Sequence, residues 1–389
     1  MTHREPAGDL PSDLACGDVV HWHGNTGRLD LDVRGCDDNP IWIVGEGVVA
    51  TATLGNPHSI SGSNLVIVGV DFRGEDGTLT YTGDRVVLRD ISVTDPDTGN
   101  GSAFFIAGRN LVVLRAVIGP SGNPIDTGGP DVDHHCIKTG GASHVWIEDS
   151  EIKQCQGDGI QIGDQNSDGG DHFYLAGNAI HHNCQTGIWL KRGADVVAVA
   201  NRIWGHTQGC QSAPVGAGAQ YENTWFTLAY NEFWDNGGGI QIQSAEGGPR
   251  YFIGNVIRDC RGDAQGNPHA PHGITHRAGD DQTYILHNTF VSCASALGVV
   301  NGSRTTVHAN IYSGGARDVE GQLQEDSSNL EGDGQPDAQW IPQPGSPAID
   351  AAGTTHPGYA AWEAHYGLPI TNGRPAGDAW DIGAKERAP

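Results

Sequence analysis

Six asparagines, Asn178, Asn201, Asn231, Asn255, Asn288 and Asn310, lie 23, 30, 24, 33 and 22 residues apart, each between two short runs of β-prone residues. The surrounding unit reads as strand, asparagine, strand, variable loop and strand, as in "HFYLAGNAIHHNCQTGIWL", "FTLAYNEFWDNGGGIQI" and "TYILHNTFVSC", and it recurs from Asn64 to Gly315. Earlier units carry Ser150, Ala116, Asp90 or Ile91, and Val70 at the asparagine position. A shortest spacing of 22 residues is too small for a propeller blade, and leucine-rich spacing is missing. The pattern predicts an all-β parallel β-helix, a single solenoid of about ten coils in which each strand pairs with its counterpart one turn on, about 4.8 Å away. Asparagine suits a recurrent bend because it tolerates left-handed backbone, and its amide can bond the amide of the next rung.

Composition agrees with few helices. The 389 residues include 58 glycines and one methionine, without long Leu/Ala/Glu/Lys runs. A formal net charge of −25 argues against nucleic acid and anionic membranes as partners. No apolar run reaches the 18 or so residues of a membrane span, and Met1-Thr2-His3-Arg4 has no signal-peptide core, so any export signal is expected to have been removed. A secreted or extracellular monomer is expected. The eight cysteines form no CxxC pair, which argues against zinc. Cys16 and Cys36 flank a hairpin-like segment and are read either as a disulfide or as two buried thiols. Cys155, Cys184, Cys260 and Cys293 recur at one place in the repeat and are read as a buried stack.

Three long insertions fall after the strand that follows the asparagine position: Gly119–His135, Gly205–Gly218 and Arg261–Gly273. Loops on one edge of a rigid scaffold commonly carry function. They are expected to wall a groove over the next strand of each coil, which reads "CIKTG", "GIQIG", "GIWLK", "AQYEN", "GIQIQ" and "GITHR". Alternation turns the isoleucines inward. Facing out are then Lys138, Gln161, Trp189 with Lys191, Gln220 or Glu222, Gln241 with Gln243, and Thr275 with Arg277. Ile137 is preferred inward because the opposite choice would bury an ammonium. The chain has four lysines, Lys138, Lys153, Lys191 and Lys385, and two of them fall in this column. Residues 1–63 are read as an N-terminal cap and first coil, 64–315 as the repeats, and 316–389 as a C-terminal extension with a helix at "PGYAAWEAHYG".

The repeat, together with the tail "GSPAIDAAG…GRPAGDAWDIGAKE", resembles the right-handed parallel β-helix enzymes of the pectate-lyase superfold, from about residue 40 to 389. That resemblance implies a groove acting on a polysaccharide, and by itself it is silent on the reaction. A uronate lyase neutralises a carboxylate, removes the adjacent proton and assists the departing oxygen. Lys138 and Lys191 are the favoured base and neutraliser, with Arg277 in the same column. Asp133, His134 and His135 are expected at the groove lip, in a stretch similar to the D-P-H motif of epimerase and alginate-lyase members but lacking its proline. One histidine is expected near its unperturbed pKa. Substrate contacts are assigned to Gln161, Trp189, Arg192, Gln220, Tyr221, Glu222, Gln241, Gln243 and His272. Trp225 is an alternative stacking ring to Tyr221, while Trp204 and Trp234 are read as core cover.

Two alternatives stay open. A hydrolase or uronate epimerase would use Asp133, Asp158, Glu222 and a histidine, although the paired aspartates and "GHG" of polygalacturonase-like members are missing. A non-catalytic carbohydrate-binding β-helix is the other. No cofactor is required by this chemistry, or else calcium: "DQNSDGG" places Asp164 and Asp168 with calcium-loop spacing, but Leu175 stands where the closing carboxylate belongs, and Asp126 and Asp131 are the other acids near the base.

Overall fold

The computed structural model describes residues 10–74, 77–96, 101–122, 133–166, 169–207, 212, 214–262, 272–277, 281–300, 304–332, 336–352, 356–369 and 381–384, and the backbone of 3–4. Among them are 35 strands and one helix. Every pairing between strands is parallel and joins one coil to the next, so the chain winds as three sheets around one core.

The core is a set of stacked columns. Ile137 pairs with Ile160, then Ile188, Ala217, Ile240, Ile274 and Leu297, all buried. Each such side chain contributes roughly 1.5–3 kcal/mol when large and fully buried. Isoleucine and valine also suit the pleated backbone because their branched side chains pack on it.

At the bend between the second and third sheets, the left-handed residue is the one before the asparagine: Gly177, Ala200, Tyr230, Gly254, His287, Ala309 and Ser328 all have φ between 53° and 65°. The asparagine caps the bend with its side chain. Asn178 Nδ2 donates to Asn201 Oδ1 at 3.0 Å, and the series continues through Asn231, Asn255, Asn288 and Asn310 to Asn329. Each Oδ1 also accepts the backbone N–H of the preceding rung. A second internal series, Asn183, His206 and Asn236, was not anticipated. Burial lowers the His206 pKa to about 3, so its ring is a neutral link in that series.

Two readings need correction, that of the segment after Cys16 and that of the recurrent cysteines. The segment after Cys16 is no hairpin: Val19–His23 pairs in parallel with Ile41–Thr51, and Asp30–Leu31 with His58–Ile60, so it forms the first coils. The C-terminal helix, Pro357–Tyr366, lies on the outer face of the second sheet, where Trp362 Nε1 donates to Thr227 Oγ1 at 2.9 Å and Tyr359 is buried. The recurrent cysteines are buried but not free thiols: Cys136 bonds Cys155, Cys260 bonds Cys293, and Cys184 is also disulfide-bonded. Cys16 bonds Cys36.

Candidate active site

Strands His134–Thr139, Ile160–Ile162 and Ile188–Leu190 lie on successive rungs of the first sheet. Because Ile137 and Thr139 are buried inward, Lys138 projects outward, in register with Gln161 and then Trp189. Its Nζ donates to Asp164 Oδ2 at 3.1 Å, and both side chains are part-exposed. Lys191 follows Leu190, with its N–H bonded to Ile162 O at 2.8 Å. Two rungs separate the lysines, about 10 Å along the axis. Both ammonium groups act on His135 and on Asp164.

His134 and His135 are not at a lip. Both are strand residues with 0% exposure. His134 Nε2 lies 3.3 Å from Asp95 Oδ2. His135 Nδ1 accepts the Asp158 N–H at 2.9 Å, which places the ring proton on Nε2. Burial, with Lys138, Lys191 and His134 nearby, holds His135 well below the usual imidazole range, so the expectation of an unperturbed imidazole fails for this ring. Its 3.4 Å approach to Asp158 Oδ2 is therefore a contact of a neutral ring, not an ion pair.

Asp158 is buried, and its Oδ1 accepts the Thr186 N–H at 3.0 Å. Burial pushes its carboxyl up to about 7, with Asp133 adding to the rise and Lys191 opposing it. Asp133 Oδ1 in turn accepts Gln185 Nε2 at 3.1 Å. A carboxyl titrating near neutrality under the influence of the Lys191 ammonium can hold or give a proton at working pH.

The shift makes stability depend on pH. The folded chain keeps the Asp158 proton above the ordinary value of 3.8, so this contribution is full below 3.8 and is lost as pH rises through about 7. Asp158→Asn keeps an oxygen for the Thr186 N–H and removes the titration. Its melting temperature relative to the parent should climb across that window and level off above it. Parallel curves for the two proteins would contradict the assignment.

The other assigned residues divide. Gln161 and Gln241 hold outward positions yet are 1% exposed, and Gln161 Nε2 donates to Gly163 O at 3.1 Å. Trp189 is 7% exposed and no open platform. Its ring lies over Gly218, where a Cβ would collide with it, and it packs with Val215. Gly218, not Gln220, continues the column to Gln241. Gln220, Gln243 and Arg277 form a neighbouring column. Arg277 is five rungs from Lys138, about 24 Å, and so stands outside the lysine cluster. Tyr221 OH donates to Gln165 Oε1 at 3.3 Å, next to Asp164. His272 is half-buried, on the rung after Gly238–Gly247. Arg192 and Glu222 line a different groove, with His144 and Asp171.

Asp164, read as a calcium ligand, is engaged by Lys138, while Oδ1 takes the Asn166 N–H at 3.4 Å. Asp126, Asp131 and Asp168, and most of the three long insertions, lie outside the described residues. Trp204 and Trp234 stack on each other at 4.8 Å, half-buried at the surface instead of covering core. Gln185 and Thr186 were overlooked. A signal existed, since Cys155-Gln156 and Cys184-Gln185 precede successive groove strands in the same way.

A family profile described as right handed beta helix region matches residues 131–312. The chain is a right-handed parallel β-helix. Among solved structures, the Dettilon tailspike protein superimposes with a TM-score of 0.57 at 12% identity, over 80% of this chain and 63% of that one. Pectate lyase Pel9A gives 0.52 at 12% identity, over 97% and 89%. The A-module of a mannuronan C-5 epimerase from Azotobacter vinelandii gives 0.50 at 14%, over 85% and 89%. The chain thus spans less than two thirds of the tailspike's length. No curated protein matches this β-helix in sequence. At such identities the likeness is one of fold, on which different activities are built from different side chains.

Proposed function

We propose that this β-helix is a secreted polysaccharide lyase that cleaves an acidic, uronate-containing polysaccharide by β-elimination on its first sheet. The observation that carries this reading is the convergence of Lys138 and Lys191 on one cluster in a chain of net charge −25. Disulfides suit an oxidising, extracellular setting. The pectate lyase and epimerase that share the fold act, by their names, on uronate polymers.

Lys191 makes no ion pair within 4.0 Å among the described residues, so its ammonium is the one available to a uronate carboxylate. Neutralising that carboxylate acidifies the neighbouring C5–H. Lys138, exchanging Asp164 for substrate and acting as the free amine, takes the proton. The C5–H electron pair becomes the C4–C5 double bond, and the C4–O bond pair leaves with the glycosidic oxygen, which is then protonated. The deeper Asp158, His135, Asp133 and Gln185 hold the rung beneath and set its charge.

One observation favours a second reading. A buried Asp158 carboxyl at about 7 supports acid–base work in hydrolysis or C5-epimerisation. Incubation with alginate, pectate, glucuronan and glycosaminoglycans separates the readings. Elimination makes a conjugated product that absorbs in the ultraviolet; hydrolysis gives new reducing ends without it; epimerisation changes the proton NMR spectrum without cleavage. No ultraviolet rise on any of these polymers would sink the lyase reading.

A further inference from the structure

At the corner between the first and second sheets, seven coils in succession place a non-glycine residue in left-handed backbone: Asn64, Arg85, Asn110, His144, His172, Asp195 and Trp225, with φ from 53° to 58°. The flanking pairs Ser143 with Asp171, Asp171 with Ala194 and Ala194 with Thr224 put the last four in one column. A left-handed residue aims its side chain away from the strand faces. Here the column borders a groove of about 650 Å³ lined by His144, Asp171, Arg192 and Glu222.

Two imidazoles sit on adjacent rungs of this column. The rings of His144 and His172 are parallel within 4°, with centroids 4.5 Å apart. Asp171 Oδ1 lies 3.3 Å from His172 Nδ1. One ligand atom from each of His144, Asp171 and His172 lies within 4.8 Å of the other two. Both rings are exposed and Asp171 is half-buried, so an ion can enter from solvent. Asp195 Oδ2 stands 3.6 Å from His172 Nε2, and its Oδ1 is held by His365 Nε2 at 2.7 Å.

We infer that His144, Asp171 and His172 form a binding site for a divalent transition-metal ion of the zinc, nickel or copper class. Two imidazoles and one carboxylate make a nitrogen-rich set that suits these ions and not calcium or magnesium, which take oxygen cages. Three protein ligands leave coordination positions open toward the groove, for water or for an oxygen of a bound ligand. Asp195 is placed to orient the His172 ring as an outer carboxylate. Because the ligands come from successive coils, the ion also ties one rung to the next. The site is separate from Lys138 and Lys191 and stands whether or not the lyase reading does.

The test uses the full chain, cleared of metal with a chelator, and two variants, His172→Gln and the double variant His144→Gln with His172→Gln. Both histidines are exposed, and the same melting temperature in chelator would establish that the variants fold. Equilibrium dialysis against Zn²⁺ should give one more equivalent bound to the parent than to the double variant. Co²⁺ should show in the parent a visible band of imidazole-ligated cobalt that the double variant lacks. Zn²⁺ should raise the melting temperature of the parent, Ca²⁺ should not, and His172→Gln should lose most of the Zn²⁺ shift. Equal zinc stoichiometry in parent and double variant would overturn the site, as would a Zn²⁺ shift that survives both substitutions.

Discussion

Lys191→Ala is expected to lower kcat/KM on the cleaved polyuronate by about 10²–10³, the usual cost of removing one group that stabilises developing charge. Lys138→Ala should cost about 10²–10⁴, as expected for loss of a positioned base. The double variant should be little worse than the poorer single one, because neutralisation without proton removal achieves nothing. Neither change should unsettle the fold, since both ammonium groups project from an outward face and part-exposed ion pairs such as Lys138–Asp164 contribute little to stability. Initial rates from product absorbance, with melting curves alongside, make the measurement. Full activity in Lys191→Ala would remove the proposed site.

The second large effect is on stability. Asn231 is fully buried, and its side chain accepts from Asn201 N and Nδ2 and donates to Ala198 O and Asn255 Oδ1, all at 2.9–3.0 Å. Asn231→Ala takes the partner from the Asn201 backbone N–H and from one of the two Asn201 amide hydrogens, and removes the side-chain donor to the Ala198 carbonyl, where water cannot reach. At about 1–3 kcal/mol for each stranded group, a loss of roughly 3 kcal/mol or more is expected. Asn329, half-buried at the end of the series, should cost clearly less when changed to alanine. Urea unfolding of the two variants checks the contrast. A cost below about 1 kcal/mol at Asn231 would mean that the backbone holds the bend without its side chains.

Much of the fold was legible because one residue type marks one bend on coil after coil, and because isoleucine alternation fixes which way each strand faces. Lys138 was placed outward on that ground, and it is outward. What was illegible depends on partners distant in sequence. The run Asp133-His134-His135 looks like a polar turn, yet both rings are buried because Asp95 and Asp158, on neighbouring coils, meet them there. Trp189 looks like a sugar platform until Gly218 is found to leave the slot into which its ring folds. The cysteines mark equivalent positions, which suggested stacking. Bonding was decided by where Cys136 and Cys155 meet across a corner, and no spacing states that.

The asparagine series also has a polarity. From Asn178 to Asn310 each amide gives one N–H to the Oδ1 of the next asparagine and the other to a backbone carbonyl, so the Oδ1-to-amide links run in one direction along the solenoid axis. Such an array polarises itself and leaves a partial positive charge at its last N–H. There the final amide, Asn329 Nδ2, donates to the carboxylate of Asp326 at 2.8 Å. Asp326 is the counter-charge at the end of a molecular wire of amides, and Arg317, bound to its other oxygen, keeps that carboxylate in place.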